Sequence, residues 1–426
     1  MEFFKIISII FFLLSYLLIS LEHKIKVNKS AISLFTAGFL WVVVGLTLKS
    51  KEKIIHNLEI AGSEIFNIVI FLLAAMTLVE ILINYNFFDL IRLNLIKLKL
   101  KDKFQFIIIG IITFFLSALL DNLTISIVMT QIARRFFKKN NLLIAASGII
   151  ILANAGGAWS PLGDVTTIMI WLSGKFSTFD VIRWGILPSL VFGLISILFL
   201  SKKIQSNSQD IIEKNNNITL TRGEKLVIFT TLISFIFPLL MNQFGLQPYI
   251  GLLFGLGLVW IIIELLQLKS QVKTHLEGDI DKLVKKIDIS TLKFFIGILL
   301  SISALNTLGI LENLSIILFG HEQQINRIIT GNIILGVLSS IIDNVPLTAI
   351  AIDIIKTTDS RLWVLLALTV GTGGSFSLVG SVAGVVVMGI IKRLNFANYF
   401  RIAFLPVFFS YISLVIIWLI QYFLLD

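Results

Sequence analysis

The chain has 426 residues, 57% of them hydrophobic and 14% charged, with a formal charge of +10 and no cysteine. Ordinary soluble domains are about 25% charged, and a mean hydropathy of +0.96 leaves too little polar surface to cover the chain in water. Without cysteine, disulfides, thiolate nucleophiles and Cys-based metal sites are excluded, and soft-metal chemistry is a poor fit.

The apolar residues are grouped in blocks of about 20, the length of a helix that crosses a hydrocarbon core of roughly 30 Å. The blocks are continuous rather than alternating, which argues against a membrane β-barrel. The predicted spans, in chain order, are 3–21, 30–48, 63–86, 141–172, 186–201, 225–243, 248–266, 291–311, 361–391 and 404–424. The first lacks a small-residue cleavage site and reads as a retained span. Basic residues gather in cytoplasmic loops of membrane proteins, so the net charge points to the lipid bilayer and not to nucleic acid.

Two further apolar stretches, 104–136 and 328–355, are too short to cross twice. The first is flanked by Lys101 and Lys103 on one side and by Arg134, Arg135, Lys138 and Lys139 on the other. Both of its ends are therefore predicted to be cytoplasmic, with Asp121-Asn122 near the tip of a re-entrant helical hairpin. Alternation of the remaining spans places 26 of the 35 Lys and Arg residues in cytoplasmic stretches. Lys49, Lys51 and Lys53 fall on the outer side and fit this scheme worst.

The two halves resemble each other. Ser117-Ala-Leu-Leu-Asp121-Asn122-Leu-Thr124 parallels Ser339-Ser-Ile-Ile-Asp343-Asn344-Val-Pro346. Asn154-Ala-Gly156-Gly157-Ala-Trp-Ser160-Pro-Leu-Gly163-Asp164 parallels Gly371-Thr-Gly373-Gly374-Ser-Phe-Ser377-Leu-Val-Gly380-Ser381. Five spans and one hairpin per half would make the copies inverted, as in many secondary transporters. The expected fold is thus an all-α polytopic membrane protein of about ten transmembrane helices and two re-entrant hairpins. Residues 1–201 form the first repeat, with hairpin 104–136 and a broken helix at 141–172. Residues 202–224 form a cytoplasmic linker. Residues 225–426 form the second repeat, with hairpin 328–355 and a broken helix at 361–391.

The Gly- and Pro-containing blocks are poor helix interiors, and irregular backbone at membrane depth is tolerated only under protein cover or at a cavity. No Walker-type phosphate loop is present. No paired nucleophile and base is visible, so an intramembrane enzyme is not expected. Asp121, Asp164 and Asp343 are the clearest intramembrane charges, with Glu64 and Glu80 as secondary candidates; each is a functional-site hypothesis by default. Carboxylates with Asn, Thr and Ser oxygens make a hard site suited to cations. A carboxylate taken out of water can be neutralised by a proton or by a metal cation, so one set of groups can exchange the two.

These blocks, together with Val165-Thr166-Thr167 and Leu347-Thr348, resemble the NhaD-type sodium/proton antiporters of the ion-transporter superfamily from about residue 60 onward. The resemblance implies secondary active exchange of cytoplasmic Na⁺ or Li⁺ for external protons by alternating access, without a cofactor. It implies a multi-pass protein of the cell (inner) membrane and leaves monomer or homodimer open. The ion- and proton-binding set carried over is Asp121, Asn122, Thr124, Asn154, Asp164, Thr166, Thr167, Asp343, Asn344, Thr348, Ser375 and Ser377, with Ser117 and Ser381 secondary. Transported Na⁺ is expected at Asp121, Asp164 and Asp343. An anion or metalloid carrier of the arsenite or dicarboxylate type is the rival. Arsenite-permease-like relatives resemble one another in a Gly-Asp-Pro-Pro-Asn ending, where this chain has Gly163-Asp164-Val165-Thr166-Thr167. Dicarboxylate carriers place Ser-Asn-Thr at the hairpin tips. The second repeat has Ser381 where the first has Asp164, so an asymmetric site is expected.

Overall fold

A computed structural model describes residues 2–20, 22–48, 50–205, 220–269, 280–378 and 380–424. All regular structure among them is helical. The first half contains α1 (Glu2–Ser20), α2 (Glu22–Ile25), α3 (Lys29–Thr47), α4 (Lys51–Asn84), α5 (Phe87–Lys97), α6 (Asp102–Ser117), α7 (Asn122–Phe136), α8 (Lys139–Ala158), α9 (Val165–Leu172) and α10 (Thr178–Ser201). The second contains α11 (Arg222–Ser234), α12 (Phe237–Gln243), α13 (Pro248–Lys269), α14 (Ile280–Val284), α15 (Ile289–Thr307), α16 (Ile310–Phe319), α17 (Ile325–Leu338), α18 (Asn344–Ile354), α19 (Ser360–Gly373), α20 (Val382–Ile390) and α21 (Phe396–Leu424). Most of the 202–224 linker lies outside the described residues.

Among the described residues, nine helices are long and apolar enough to cross a bilayer. The predicted span 361–391 is not one of them, because it is built as α19, a 3-10 turn at Gly374–Phe376, and α20. The span predicted at 141–172 is likewise divided, into α8 and α9. The hairpins are α6–α7 and α17–α18. Their arms have 16 and 15 residues, then 14 and 11, and at 1.5 Å per residue all are shorter than roughly 30 Å of hydrocarbon.

Several boundaries differ from the sequence reading, with α10 and α21 starting at Thr178 and Phe396 and not at 186 and 404. Helix α4 starts at Lys51 and not near 63, because Ser50 caps it and Glu52 sits in its first turn. Its 34 residues span about 51 Å, so Lys51 and Lys53 ride on a turn beyond the apolar stretch. The span predicted at 291–311 ends at Thr307, where Gly309 takes a left-handed φ of 69° and α16 turns away. The same joint occurs at Asn86 (φ 57°), between α4 and the unpredicted α5. A left-handed residue breaks a helix without ending the chain's run of apolar side chains, which is why periodicity alone did not reveal either joint.

Two layers emerge from the packing. Helices α3, α4, α11, α12, α13 and α15 pack on one another, with α15 lying along both α3 and α4. The hairpins, the broken helices, α10 and α21 form the other layer, in which α10 lies along α21, the first arms α8 and α19 lie along the hairpins of their own halves, and the second arms α9 and α20 lie along α18 and α7 of the opposite halves. Residues Ile144–Ala158 of α8 and Leu362–Gly373 of α19 are buried all round.

Equivalent contacts recur in both halves. Ser117 Oγ donates to Ala153 O at 2.7 Å, and Ser339 Oγ donates to Val370 O at 2.8 Å. A methyl group added at Gly156 would strike the Phe114 carbonyl, and one at Gly373 would strike that of Gly336. Each hairpin arm therefore meets its broken helix backbone against backbone, an approach open only to glycine.

Candidate ion-binding site

Four helix N-termini converge on one small cavity of about 50 Å³. Its wall includes Asn122 and Leu123 at the start of α7, Val165 at the start of α9, Asn344 and Val345 at the start of α18, and Val382 at the start of α20. The facing wall comes from the other layer, through Phe71, Ala75 and Met76 of α4 and Thr291 and Phe295 of α15. The residue before each N-terminus is Asp121, Asp164, Asp343 or Ser381.

The tips fold as they do because an Asp side chain is a strong N-cap. Asp121 accepts from Thr124 N at 2.9 Å and from Thr124 Oγ1 at 2.6 Å. Asp343 accepts from Val345 N at 3.0 Å, and its own N–H donates to the Tyr16 hydroxyl. Ser381 accepts from Gly384 N at 3.3 Å. Asp164 departs from this pattern and makes no side-chain bond to its own helix N–H groups. It accepts instead from Thr166 Oγ1 at 3.0 Å and from Asn344 Nδ2 at 3.1 Å, while 98% shielded from solvent.

The two halves are joined by a buried amide relay. Asn122 Nδ2 donates to Asn154 Oδ1 at 3.2 Å. Asn154 Nδ2 donates to Ser375 Oγ at 3.0 Å and to Ser381 Oγ at 3.1 Å. In the second half the counterpart of Asn154 is Gly371, whose missing side chain leaves room for the Asp164 carboxylate; a methyl there would lie 3.4 Å from Asp164 Oδ2. A long side chain faces a short one on each side, Asn154 opposite Ser381 and Asp164 opposite Gly371.

The structure thus brings Asp121, Asn122, Asp164 and Asn344 to one cavity; Asn122, Asn154, Ser375 and Ser381 form one hydrogen-bonded set, Thr166, Asp164 and Asn344 form another, and Asp121 is bonded to Thr124. Asp343 caps the fourth helix, with Lys29 as an opposing charge. Other predicted residues have structural contacts. Thr167 Oγ1 donates to Gly157 O at 3.1 Å, and Thr348 Oγ1 donates to Asn344 O at 2.9 Å. Ser377 pins the second broken helix through the Ser340 carbonyl, as Ser117 pins the first through Ala153. Among the described residues, no three His, Asp or Glu side chains gather closely enough to cage a metal ion. Asp121, Asp164 and Asp343 therefore do not form a single three-carboxylate site in this structure.

Glu80 pairs with Lys286 (3.9 Å), and neither it nor Glu64 lines the central cavity. Glu64 lines a second cavity of about 330 Å³ with Lys53, Asn57, Asn306 and Asp353. Asp353, near the end of α18, was not singled out from sequence, although a carboxylate inside the apolar 328–355 stretch was a usable signal. A third cavity of about 470 Å³ holds Ile83, Asp89, Arg92, Gln131, Arg134 and Arg135. Helix α4 threads all three in order, through residues 53–68, 71–79 and 83.

Membrane-length helices packed around paired hairpins and broken helices define a multi-pass integral membrane transporter. The sequence profile described as "Citrate transporter" matches residues 16–371, and the chain belongs to that family. It is 36% identical over 396 residues to sodium/proton antiporter 1 of Arabidopsis thaliana, covering 91% of this chain and 67% of the relative. Sodium/proton antiporter 2 of the same plant is 36% identical over 399 residues, covering 91% and 93%. The Na(+)/H(+) antiporter NhaD of Alkalimonas amylolytica is 29% identical over 416 residues, covering 90% and 83%. The likeness to NhaD begins ahead of residue 60, since the match to the Alkalimonas amylolytica protein covers 90% of this chain.

Proposed function

We propose that the chain is a secondary active sodium/proton antiporter that also accepts Li⁺, releasing cytoplasmic cations from the cell in exchange for external protons. The observation that carries this reading is the convergence of four helix N-termini, three of them begun by Asp, on one cavity. Helix N-termini alone would attract an anion. Here resident carboxylates occupy those positions, which leaves their oxygens for a hard cation or a proton. The names of the relatives support the same ion pair.

Carboxylates and amide oxygens of the cluster would take the place of a cation's lost hydration. Asp164 is the acceptor with most to offer, because it is not committed to capping its own helix. A proton arriving at the same carboxylate neutralises it and dismisses the cation, so one group serves both half-cycles. The recurrent contacts of the two halves support an inverted-repeat plan, and the two-layer packing supports alternating access by movement of the hairpin layer against α4 and α15. The loop charges support cytoplasmic placement of the α6–α7 hairpin ends.

The test is sodium- or lithium-dependent dissipation of a preformed pH gradient in inverted vesicles. No dissipation at any pH from neutral to moderately alkaline would end this reading. The family's description favours a second one, an anion carrier. Uptake of labelled citrate without proton exchange would establish it.

A further inference from the structure

The cavities at the two ends of α4 differ in charge. The 330 Å³ cavity carries Glu64 and Asp353 against Lys53, whereas the 470 Å³ cavity carries Arg92, Arg134 and Arg135 against Asp89. A surplus of positive charge repels a cation and attracts an anion. The 470 Å³ cavity is therefore unsuited to sodium and suited to a ligand of the opposite sign. Its volume lies within the range of about 300–1,000 Å³ common for small-molecule sites.

Arg134 and Arg135 close α7, where a cation complements the helix C-terminus by about 0.3–1 kcal/mol. That role leaves their guanidinium groups unused, because neither has a hydrogen-bond or ion-pair partner among the described residues. Arg92 reaches the same space from α5, with its guanidinium steadied by Asp89 at 3.1 Å. Guanidinium groups present paired N–H donors that match the oxygens of a phosphate. The rest of the lining points to what carries that phosphate. Ile83, Phe88, Val128 and Ile132 form an apolar wall, and Ile83, on the membrane helix α4, is 39% exposed. A free phosphate gains nothing from such a wall, whereas a phospholipid covers it with the start of its acyl chains. Further cations stand at the same end of the molecule, at Lys97 and Lys99 after α5 and at Lys138 and Lys139 after α7. Basic pockets between membrane helices on the cytoplasmic side characteristically take anionic headgroups.

We propose that the 470 Å³ cavity binds the phosphate of an anionic phospholipid, held by Arg92 from α5 and by Arg134 and Arg135 from α7. Helix α5 packs on α4, whereas α7 is the second arm of the first hairpin. The lipid thus bridges the two layers of the fold at a place separate from the central cavity.

The full chain in a mild detergent is mixed with equal amounts of phosphatidylglycerol and phosphatidylcholine of the same acyl chains. Retained lipid is read by native mass spectrometry, and the unfolding temperature is measured with each lipid alone. Phosphatidylglycerol should be retained at least about fivefold over phosphatidylcholine, and it should raise the unfolding temperature more. Arg134→Gln combined with Arg135→Gln should remove the preference. Arg134→Lys combined with Arg135→Lys should keep part of it, since the charge persists without the paired donors. Lys103→Gln combined with Lys138→Gln removes as many charges from exposed positions outside the cavity and should leave the preference intact. Equal retention of the two lipids by the parent protein overturns the proposal. Loss of the preference in the Lys103 and Lys138 variant to the same extent as in the glutamine variant of the arginines also overturns it, because general surface charge would then suffice. Stabilisation by inorganic phosphate with no retained phosphatidylglycerol overturns the lipid and assigns the cavity to a free anion.

Discussion

Asn344, at the tip of the second hairpin, donates to the carboxylate of Asp164 in the first broken helix at 3.1 Å. Its counterpart Asn122 donates to Asn154 at 3.2 Å. Equivalent tips therefore address a charged group in one case and a neutral amide in the other. Asp164→Asn keeps the shape of the first contact and removes its charge. Exchange should fall to the level of empty vesicles while the protein inserts in normal amounts, as checked by vesicle pH assay and immunoblot.

The tip carboxylates Asp121 and Asp343 cap their helices, and on the function proposed above they also handle the ion. Replacing either with Asn retains a side chain that can cap a helix, so the fold should survive with thermal unfolding little changed. Exchange should be abolished in each. Wild-type flux in both variants would place transport outside this cluster.

Asn154 is the hinge of the relay and is completely buried. Asn154→Ala leaves Asn122, Ser375 and Ser381 each short of a partner. The expected loss is about 1–3 kcal/mol per orphaned group, read as a lower unfolding temperature in detergent, together with impaired exchange.

Backbone packing makes a separate prediction. Gly156→Ala and Gly373→Ala each drive a methyl into a facing carbonyl, and both proteins should accumulate poorly. Gly45→Ala, with nothing within 4 Å of the new methyl, should accumulate normally. Membrane levels of the three variants decide the matter.

At the edge of the bundle, Asp359 caps α19 and holds Arg361 Nε at 3.0 Å, with the Tyr422 hydroxyl also at 3.0 Å. Burial pushes the Asp359 carboxyl up, but the bonds from Arg361 and Tyr422 outweigh it and hold the group below its ordinary value. A depressed carboxyl stabilises the fold above its unfolded value of about 3.9. That contribution is lost as pH falls through the lower, folded value. Asp359→Asn should therefore unfold at a lower temperature than the parent at neutral pH, with the gap narrowing in strong acid.

Much of the candidate site was legible because the bilayer makes each buried charge conspicuous. Asp121, Asp164 and Asp343 stood out against hydrocarbon, and glycine and proline betrayed the broken helices. What stayed hidden depends on proximity across the chain. Nothing in the first span marks Tyr16 as the acceptor for the Asp343 N–H. Nothing local marks Trp41, whose indole donates to Leu300 O at 3.0 Å. Thr348 and Ser377 matched the motif pattern, yet their hydroxyls are taken up by backbone carbonyls. Residue type identifies candidates, and rotamer and neighbour select among them.

The exchange of long and short side chains between the halves, Asn154 with Ser381 against Gly371 with Asp164, has a kinetic meaning only. A passive exchanger cannot change the ratio of gradients at which net flux stops; that is fixed by stoichiometry and microscopic reversibility. Unequal halves can still make the two reorientation rates differ. Sodium measured from opposite faces should then give different half-saturation concentrations in one protein, with the same stalling gradient from either side.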